Sequence, residues 1–254
     1  MKIRDFISVF LRSFALQAVW NFERMQNIGF AYALLPALTA LYPDPRKRTE
    51  ALMRHLEFFN VHPYMVNIIL GTVIRTEQEI SSGNTSLTET VNNTKNAMAG
   101  PLAAIGDVFF WATFRPFMVL VAVGIMLAVL RFNLDRFLPL APLFFIVVYN
   151  VIQIGFRLIS FLAVYRSHEA IVLVIQNMKF QNMLDRIRFL GMATLISVMG
   201  FYFISYSRNM YDGTCFLLVF MGSIFMGSTK LPPAVVFYAV LLSGVVMYMI
   251  RGYG

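Results

Sequence analysis

The chain has 254 residues, of which 58% are hydrophobic and 13% charged, against roughly a quarter charged in soluble domains. A soluble domain of this size cannot bury so much apolar surface in one core, which excludes an ordinary water-soluble protein. The net charge of +8 does not point to nucleic acid: the basic residues cluster between apolar blocks, as in cytoplasmic loops, and no zinc spacing, RNA-binding motif or basic–aromatic strip accompanies them.

Taken in chain order, the first element is a helix over 1–18. Ile3, Phe6, Ile7, Phe10 and Phe14 recur at helical spacing with Arg4, Asp5 and Arg12 between them. That pattern suits a helix lying along a membrane interface, and equally an ordinary packed helix. Arg12 interrupts the apolar run and Asn21, Glu23 and Arg24 follow it, so it lacks the clean core and cleavage site of a secretory signal.

Residues 19–130 carry apolar segments that are short, broken by Gly and Pro, and dotted with ionisable groups. Ile28–Tyr42 contains Gly29 and Pro36; Phe58–Ile74 contains Asn60, His62, Pro63, Asn67 and Gly71. Ala97–Phe114 contains Gly100, Pro101, Gly106 and Asp107, with Arg115 and Pro116 just beyond. The stretch 76–96 is rich in Ser, Thr, Asn and Glu and is expected to be an exposed polar loop. Irregular backbone at membrane depth is tolerated only where protein or a water-filled cavity surrounds it, and transporters use such broken or re-entrant helices to build polar sites. Residues 19–130 are therefore expected to be the transport region; the plainer alternative is a set of interfacial helices under a loop-rich surface.

Residues 131–254 are conventional in comparison. Uncharged blocks at Phe137–Phe156, Phe189–Ser207 and Leu231–Ile250, with a shorter one at Cys215–Gly227, match or approach the ~20 residues needed to cross a hydrocarbon core of roughly 30 Å. The fold class expected is all-α: a polytopic membrane protein with broken helices in its first half and transmembrane helices in its second. The lone Cys215 excludes a disulfide within the chain.

Candidate site residues follow from what a polar solute needs in a low-dielectric site, namely groups that donate and accept paired hydrogen bonds. Asn21, Glu23, Gln26 and Asn27 supply such groups, and on a helix Glu23 and Asn27 would share a face. Arg24 would point elsewhere, to a carboxylate or headgroup; Glu23 and Arg24 could also be simple interface charges. Glu57, Asn60 and His62 come next, His62 being pushed toward extended backbone by Pro63. Gly100, Pro101 and Gly106 lack the Gly-Lys-Ser/Thr of a phosphate loop and suit close helix packing instead. Asp107 is the strongest single candidate for a transport role, and Arg115, two helical turns away, is too distant for a direct pair with it on a straight helix. Asn150, Gln153 and Arg157 line one face of a later helix. No nucleophile–base pair is visible, three histidines (His55, His62 and His168) are too few for a phosphate relay, and no cofactor or metal is implied.

Three stretches carry a family resemblance: Leu11–Gly29, with Asn21-Phe-Glu-Arg-Met-Gln-Asn27 at its end; Leu41-Tyr-Pro-Asp-Pro45 with His55–Tyr64; and Ala99-Gly-Pro-Leu-Ala-Ala-Ile-Gly-Asp107 running to Arg115-Pro116. In this order and spacing they resemble the IID components of the mannose/fructose/sorbose family of the phosphoenolpyruvate-dependent phosphotransferase system, and the ending Lys230-Leu-Pro-Pro is similar too. The resemblance implies a bacterial plasma-membrane subunit, not itself phosphorylated or catalytic. Such a subunit pairs with a IIC subunit, in oligomers of IIC–IID pairs, to carry a hexose-type sugar that soluble IIA and IIB components phosphorylate. Residues 131–190 cannot be matched position by position, which leaves open a subunit that keeps the fold but serves a regulatory or structural role.

Overall fold

A computed structural model describes residues 1–166 and 180–206, with isolated positions further on. His168, Lys179, the expected spans at Cys215–Gly227 and Leu231–Ile250 and the Lys230-Leu-Pro-Pro ending fall outside the continuously described residues. Among the described residues the chain is helical, with isolated bridges in place of any strand.

Helix α1 (Ile3–Arg12) begins where the Asp5 carboxylate turns back to accept the Lys2 backbone N–H at 2.8 Å, which satisfies one of the orphan donors of a helix start. It runs into a 3₁₀ turn, Ser13–Ala15. Helix α2 (Asn27–Leu41) follows after an irregular stretch and accommodates Pro36 without a break. Its start lies so close to the preceding turn that a Cβ on Gly29 would run into the Leu16 carbonyl. Helix α3 (Pro45–Arg54) starts with Asp44 accepting the Arg46 N–H at 3.0 Å and Pro45 in the first turn, the arrangement that a helix N-terminus favours.

Helix α4 (Val66–Ser81) is the centre of the molecule: from Val66 to Ile74 every residue is buried. It packs against α2 on one side and against later helices on the others. Helix α5 (Leu87–Gly106), a π-helical stretch (Asp107–Phe114) and α6 (Arg115–Arg131) form one continuous rod, Leu87–Arg131. Helices α7 (Leu140–Arg166) and α8 (Phe180–Tyr206) follow; α7 packs on α4 and α6, and α8 on α6.

The expected polar loop 76–96 is corrected. Helix α4 continues to Ser81 and α5 begins at Leu87, so only a short connection around Gly83, whose φ is 116°, is non-helical. Polar composition misled because the buried residues Val73, Glu77 and Ile80, and then Val91 and Lys95, recur at helical spacing within it. Gly100 and Pro101 do not break α5 either, since Pro101 is exposed and nothing lies near the Gly100 position. The irregularity falls one turn later, in the π-helical residues. Among the described residues, the rod Leu87–Arg131, the segment Asp135–Arg166 and the helix Phe180–Ser205 are long and apolar enough to cross a membrane. The chain is a helical membrane protein.

Candidate functional site

The first candidate residues do not share a helical face as expected. Residues 20–26 fold into a turn closed by a reciprocal backbone pair between Asn21 and Met25, each N–H donating to the other's carbonyl at 3.0 Å. Met25 sits at φ 56°, a left-handed conformation that ends any helical repeat, so Glu23 and Asn27 are not one helical turn apart. The Asn21 side-chain carbonyl accepts the Arg24 N–H at 2.8 Å and fixes the turn locally.

This turn is stitched to a second irregular stretch, Leu56–Val61. Gln26 N–H donates to the Phe59 carbonyl at 2.8 Å, and Phe59 N–H to Arg24 at 3.3 Å. The Gln26 side-chain oxygen accepts the Val61 N–H at 3.0 Å, while the Asn27 amide donates to the Leu56 carbonyl at 2.7 Å and accepts from Asn21 at 3.0 Å. Gln26 and Asn27 are buried, and the Gln26 side-chain oxygen and both ends of the Asn27 amide are spent on this seam. The groups left facing outward are Glu23 and Arg24, paired at 3.4 Å, with Glu57, Phe58 and Asn60 on the second stretch and Trp20 and Phe22 on the first. Glu57 also accepts from the Asn92 amide on α5 at 3.1 Å.

Beneath the seam lies His62. Its ring is buried, stacks on Phe110 at 5.5 Å and tilts against Trp111 at 4.5 Å. Nδ1 accepts the Tyr64 N–H at 3.2 Å, so the proton of the neutral ring belongs on Nε2, which has no partner among the described residues. Burial, helped by the nearby Arg157 charge, pushes His62 down to about 4. The ring fits only because position 106 is glycine: a Cβ there would collide with it. The π-helical stretch starts at the next residue, Asp107, and such wide turns gather at functional positions. Asp107 and Arg115 bracket this stretch, both exposed on the rod's surface. The structure thus brings the 21–27 turn, the 56–62 stretch and the 106–107 junction into one continuous region, with Arg115 at its far margin.

Two supports of this region have partners the sequence reading did not assign. One is a buried cluster on Glu77. Arg54 donates to both of its oxygens, at 2.8 and 3.1 Å, the Tyr42 hydroxyl donates at 2.7 Å, and His55 Nε2 lies 2.9 Å away. Burial opposes ionisation, but the hydrogen bonds from His55, Arg54 and Tyr42 prevail and hold the Glu77 carboxyl down to about 2. Burial drives His55 below the ordinary histidine range, so a neutral His55 donates from Nε2 to an ionised Glu77. The spacing of Val73, Glu77 and Ile80 was the signal for this cluster. The other support is Arg157 on α7. It donates to the Ser13 carbonyl at 3.1 Å and the Pro63 carbonyl at 2.8 Å, with its guanidinium 4.2 Å from the Phe14 ring centre. One side chain thereby ties α7 to the 3₁₀ turn after α1 and to Pro63, just past the second irregular stretch. Asn150 is exposed on the same helix and accepts from Gln153 at 3.0 Å. Among the described residues no group of His, Cys, Asp and Glu is arranged to hold a metal ion.

Comparison with known proteins places this architecture. The sequence model of the PTS system mannose/fructose/sorbose family IID component matches residues 1–202. The mannose-specific EIID component of Escherichia coli K12 is 37% identical over 154 residues, 60% of this chain and 52% of that protein; the chain spans about half the length of the curated relatives it matches. Among solved structures, a chain described only as a membrane protein superposes with a TM-score of 0.77 at 26% identity, covering 98% of this chain and 97% of that one. A chain of the mannose transporter ManYZ in complex with microcin E492 matches with the same identity and coverage and a TM-score of 0.60. With a match running through the seam, the π-helical rod and the helices after it, the chain belongs to the IID components of the mannose/fructose/sorbose family of the phosphotransferase system.

Proposed function

We propose that this chain is the IID subunit of a bacterial plasma-membrane sugar permease. With a IIC partner it carries a hexose-type sugar across the membrane, and soluble IIA and IIB components phosphorylate that sugar on arrival. The observation that carries the reading is the family match over residues 1–202, which includes every group of the seam. The chain supplies no phosphoryl-transfer chemistry itself. His55 and His62, its two described histidines, are both buried, where a phosphocarrier could not reach them.

The geometry divides the labour among the candidates. Asn21, Gln26 and Asn27 position the seam, because their side chains already bond within it. Glu23, Arg24, Glu57, Asn60 and Asp107 face outward and are the groups available to a sugar or to the IIC surface that completes its site. His62 and Gly106 shape the rod behind them, Gly100 and Pro101 lie on its open surface, and Arg115 offers a cation to the partner. Charged side chains on a membrane helix are costly unless they face protein, a partner or water, which favours such a role for Asp107.

Phosphoenolpyruvate-dependent sugar phosphorylation by membranes holding this chain with IIC, IIB and IIA tests the proposal. A panel of hexoses and amino sugars is expected to show activity with at least one sugar, and only when this chain and IIC are both present. Asp107→Asn and Glu23→Gln should lower it while the complex still assembles. An assembled complex with charged IIB and no activity toward any sugar would overturn the transport reading in favour of a regulatory or scaffolding subunit.

A further inference from the structure

Helix α1 is apolar over a wider arc than the chain covers. Going round it, Val9 and Ser13 are buried and Phe6 and Phe10 pack on the core. The next stripe, Ile3, Ile7, Leu11 and Phe14, is 75%, 52%, 62% and 43% exposed. Arg4, Ser8 and Arg12 come after it, again one helical turn apart. These three, with Asp5, form one wall of an open groove of about 360 Å³ whose other wall is Leu35, Pro36, Thr39 and Ala40 of α2.

The groove is basic and incompletely satisfied. Asp5 is committed to the Lys2 backbone N–H. Arg12 lies 4.6 Å from the Tyr32 ring centre and reaches the Tyr32 carbonyl only at 3.4 Å. Arg4 has no hydrogen bond or ion pair among the described residues, and no acidic side chain other than Asp5 lines the groove. Two guanidiniums two turns apart, with the Ser8 hydroxyl nearby, match a phosphate oxyanion, which arginine binds through paired charge-assisted hydrogen bonds. The exposed apolar stripe borders the basic wall directly. At ten residues, roughly 15 Å, α1 is too short to cross a hydrocarbon core of about 30 Å. A polar head beside an apolar stripe on such a helix is the chemistry of an interfacial lipid contact.

We propose that the α1–α2 groove binds the phosphate of an anionic phospholipid whose acyl chains lie along Ile3, Ile7, Leu11 and Phe14. An anionic lipid is favoured over a zwitterionic one because the groove sets two arginines against a single carboxylate, which already accepts the Lys2 N–H. The site lies on the outer face of α1, away from the residues of the transport reading, and does not depend on it.

The test uses the chain with its IIC partner in nanodiscs of phosphatidylcholine containing a tenth phosphatidylglycerol, with tightly retained lipid counted by native mass spectrometry after gentle extraction. Wild type is expected to retain phosphatidylglycerol at least tenfold above its share of the bilayer. Arg4→Gln, which breaks no hydrogen bond or ion pair among the described residues, should reduce that enrichment severalfold, and Arg4→Gln with Arg12→Gln should abolish it with the assembly intact. Equal retention by wild type and Arg4→Gln would overturn the proposal. So would efficient crosslinking of Ser8→Cys to the IIC subunit, which would make the groove a protein interface.

Discussion

Residues 1–81 and the long helices that follow stabilise themselves in opposite ways. In the first region, α2 buries most of its side chains between Phe30 and Leu38 and α4 all of them between Val66 and Ile74, and many of the polar groups near them are paired, though the buried Asn67 amide has no partner among the described residues. The Glu77 carboxylate collects donors from three residues, and the two irregular stretches share five hydrogen bonds through Arg24, Gln26 and Asn27. In the second region, the most apolar stretch of α8 has no buried residue, and those of the rod and of α7 have few. Those helices leave their side chains outside the chain's own core, and in lipid such apolar surface costs nothing. The first region must therefore be right internally before it can work, while the second is tolerant internally and depends on its surroundings.

The largest expected effect lies at the buried carboxylate. Glu77→Ala leaves Arg54 charged and half-buried, with Tyr42 and His55 deprived of their acceptor. Breaking a buried pair this way costs about 3–5 kcal/mol, so the variant should lose most of its monodisperse fraction on size exclusion in detergent. If Glu77→Ala purifies and melts like wild type, the contrast between the two regions fails. Next is Gly29→Ala, whose methyl would meet the Leu16 carbonyl. Forcing the α1–α2 approach apart should cost about 1–3 kcal/mol, read as a lower thermal midpoint. Gly100→Ala, with open space around it, should leave the midpoint unchanged or slightly raised.

Asn27→Ala removes the donor to the Leu56 carbonyl and the acceptor for Asn21. A loss of about 1–3 kcal/mol is expected for buried partners left unsatisfied, together with faster proteolysis within 56–61. Acid acts on the same region with a defined sign. His62 titrates near 6.5 when unfolded and about 4 when folded, so its contribution is complete above pH 6.5 and is lost as pH falls toward 4. Glu77, moved from 4.5 to about 2, adds a second loss below pH 4.5. The thermal midpoint in detergent should fall steadily from pH 7 to pH 4, and His62→Phe should flatten the upper part of that slope. The smallest effect belongs to Glu23→Gln: its exposed pair with Arg24 is worth less than about 1 kcal/mol, so stability should hold while sugar phosphorylation by the complex falls. A drop in both would mean that Glu23 supports the turn itself.

The membrane class, the helical fold, the positions of α7 and α8 and the family membership were legible in the sequence. Hydrophobic blocks set by bilayer thickness survive any tertiary arrangement, and the motifs that carry the resemblance sit in the seam residues. The same motifs contain Asn21, Gln26, Asn27, Asn60 and His62, and the structure brings the two stretches that hold them together. Their division into inward and outward groups was not legible, because it depends on Met25 turning left-handed and on which backbone groups of Leu56–Val61 arrive opposite. Nor was the Glu77 cluster, whose four members are drawn from α4, from the C-terminal end of α3 and from the residue closing α2. A charged residue inside a polar-looking stretch carries no mark of burial until the helices that cover it are in place. Arg157 is the extreme case: its partners, Ser13 and Pro63, lie 144 and 94 residues away, and only the packing of α7 on α4 brings a guanidinium within reach of two free carbonyls.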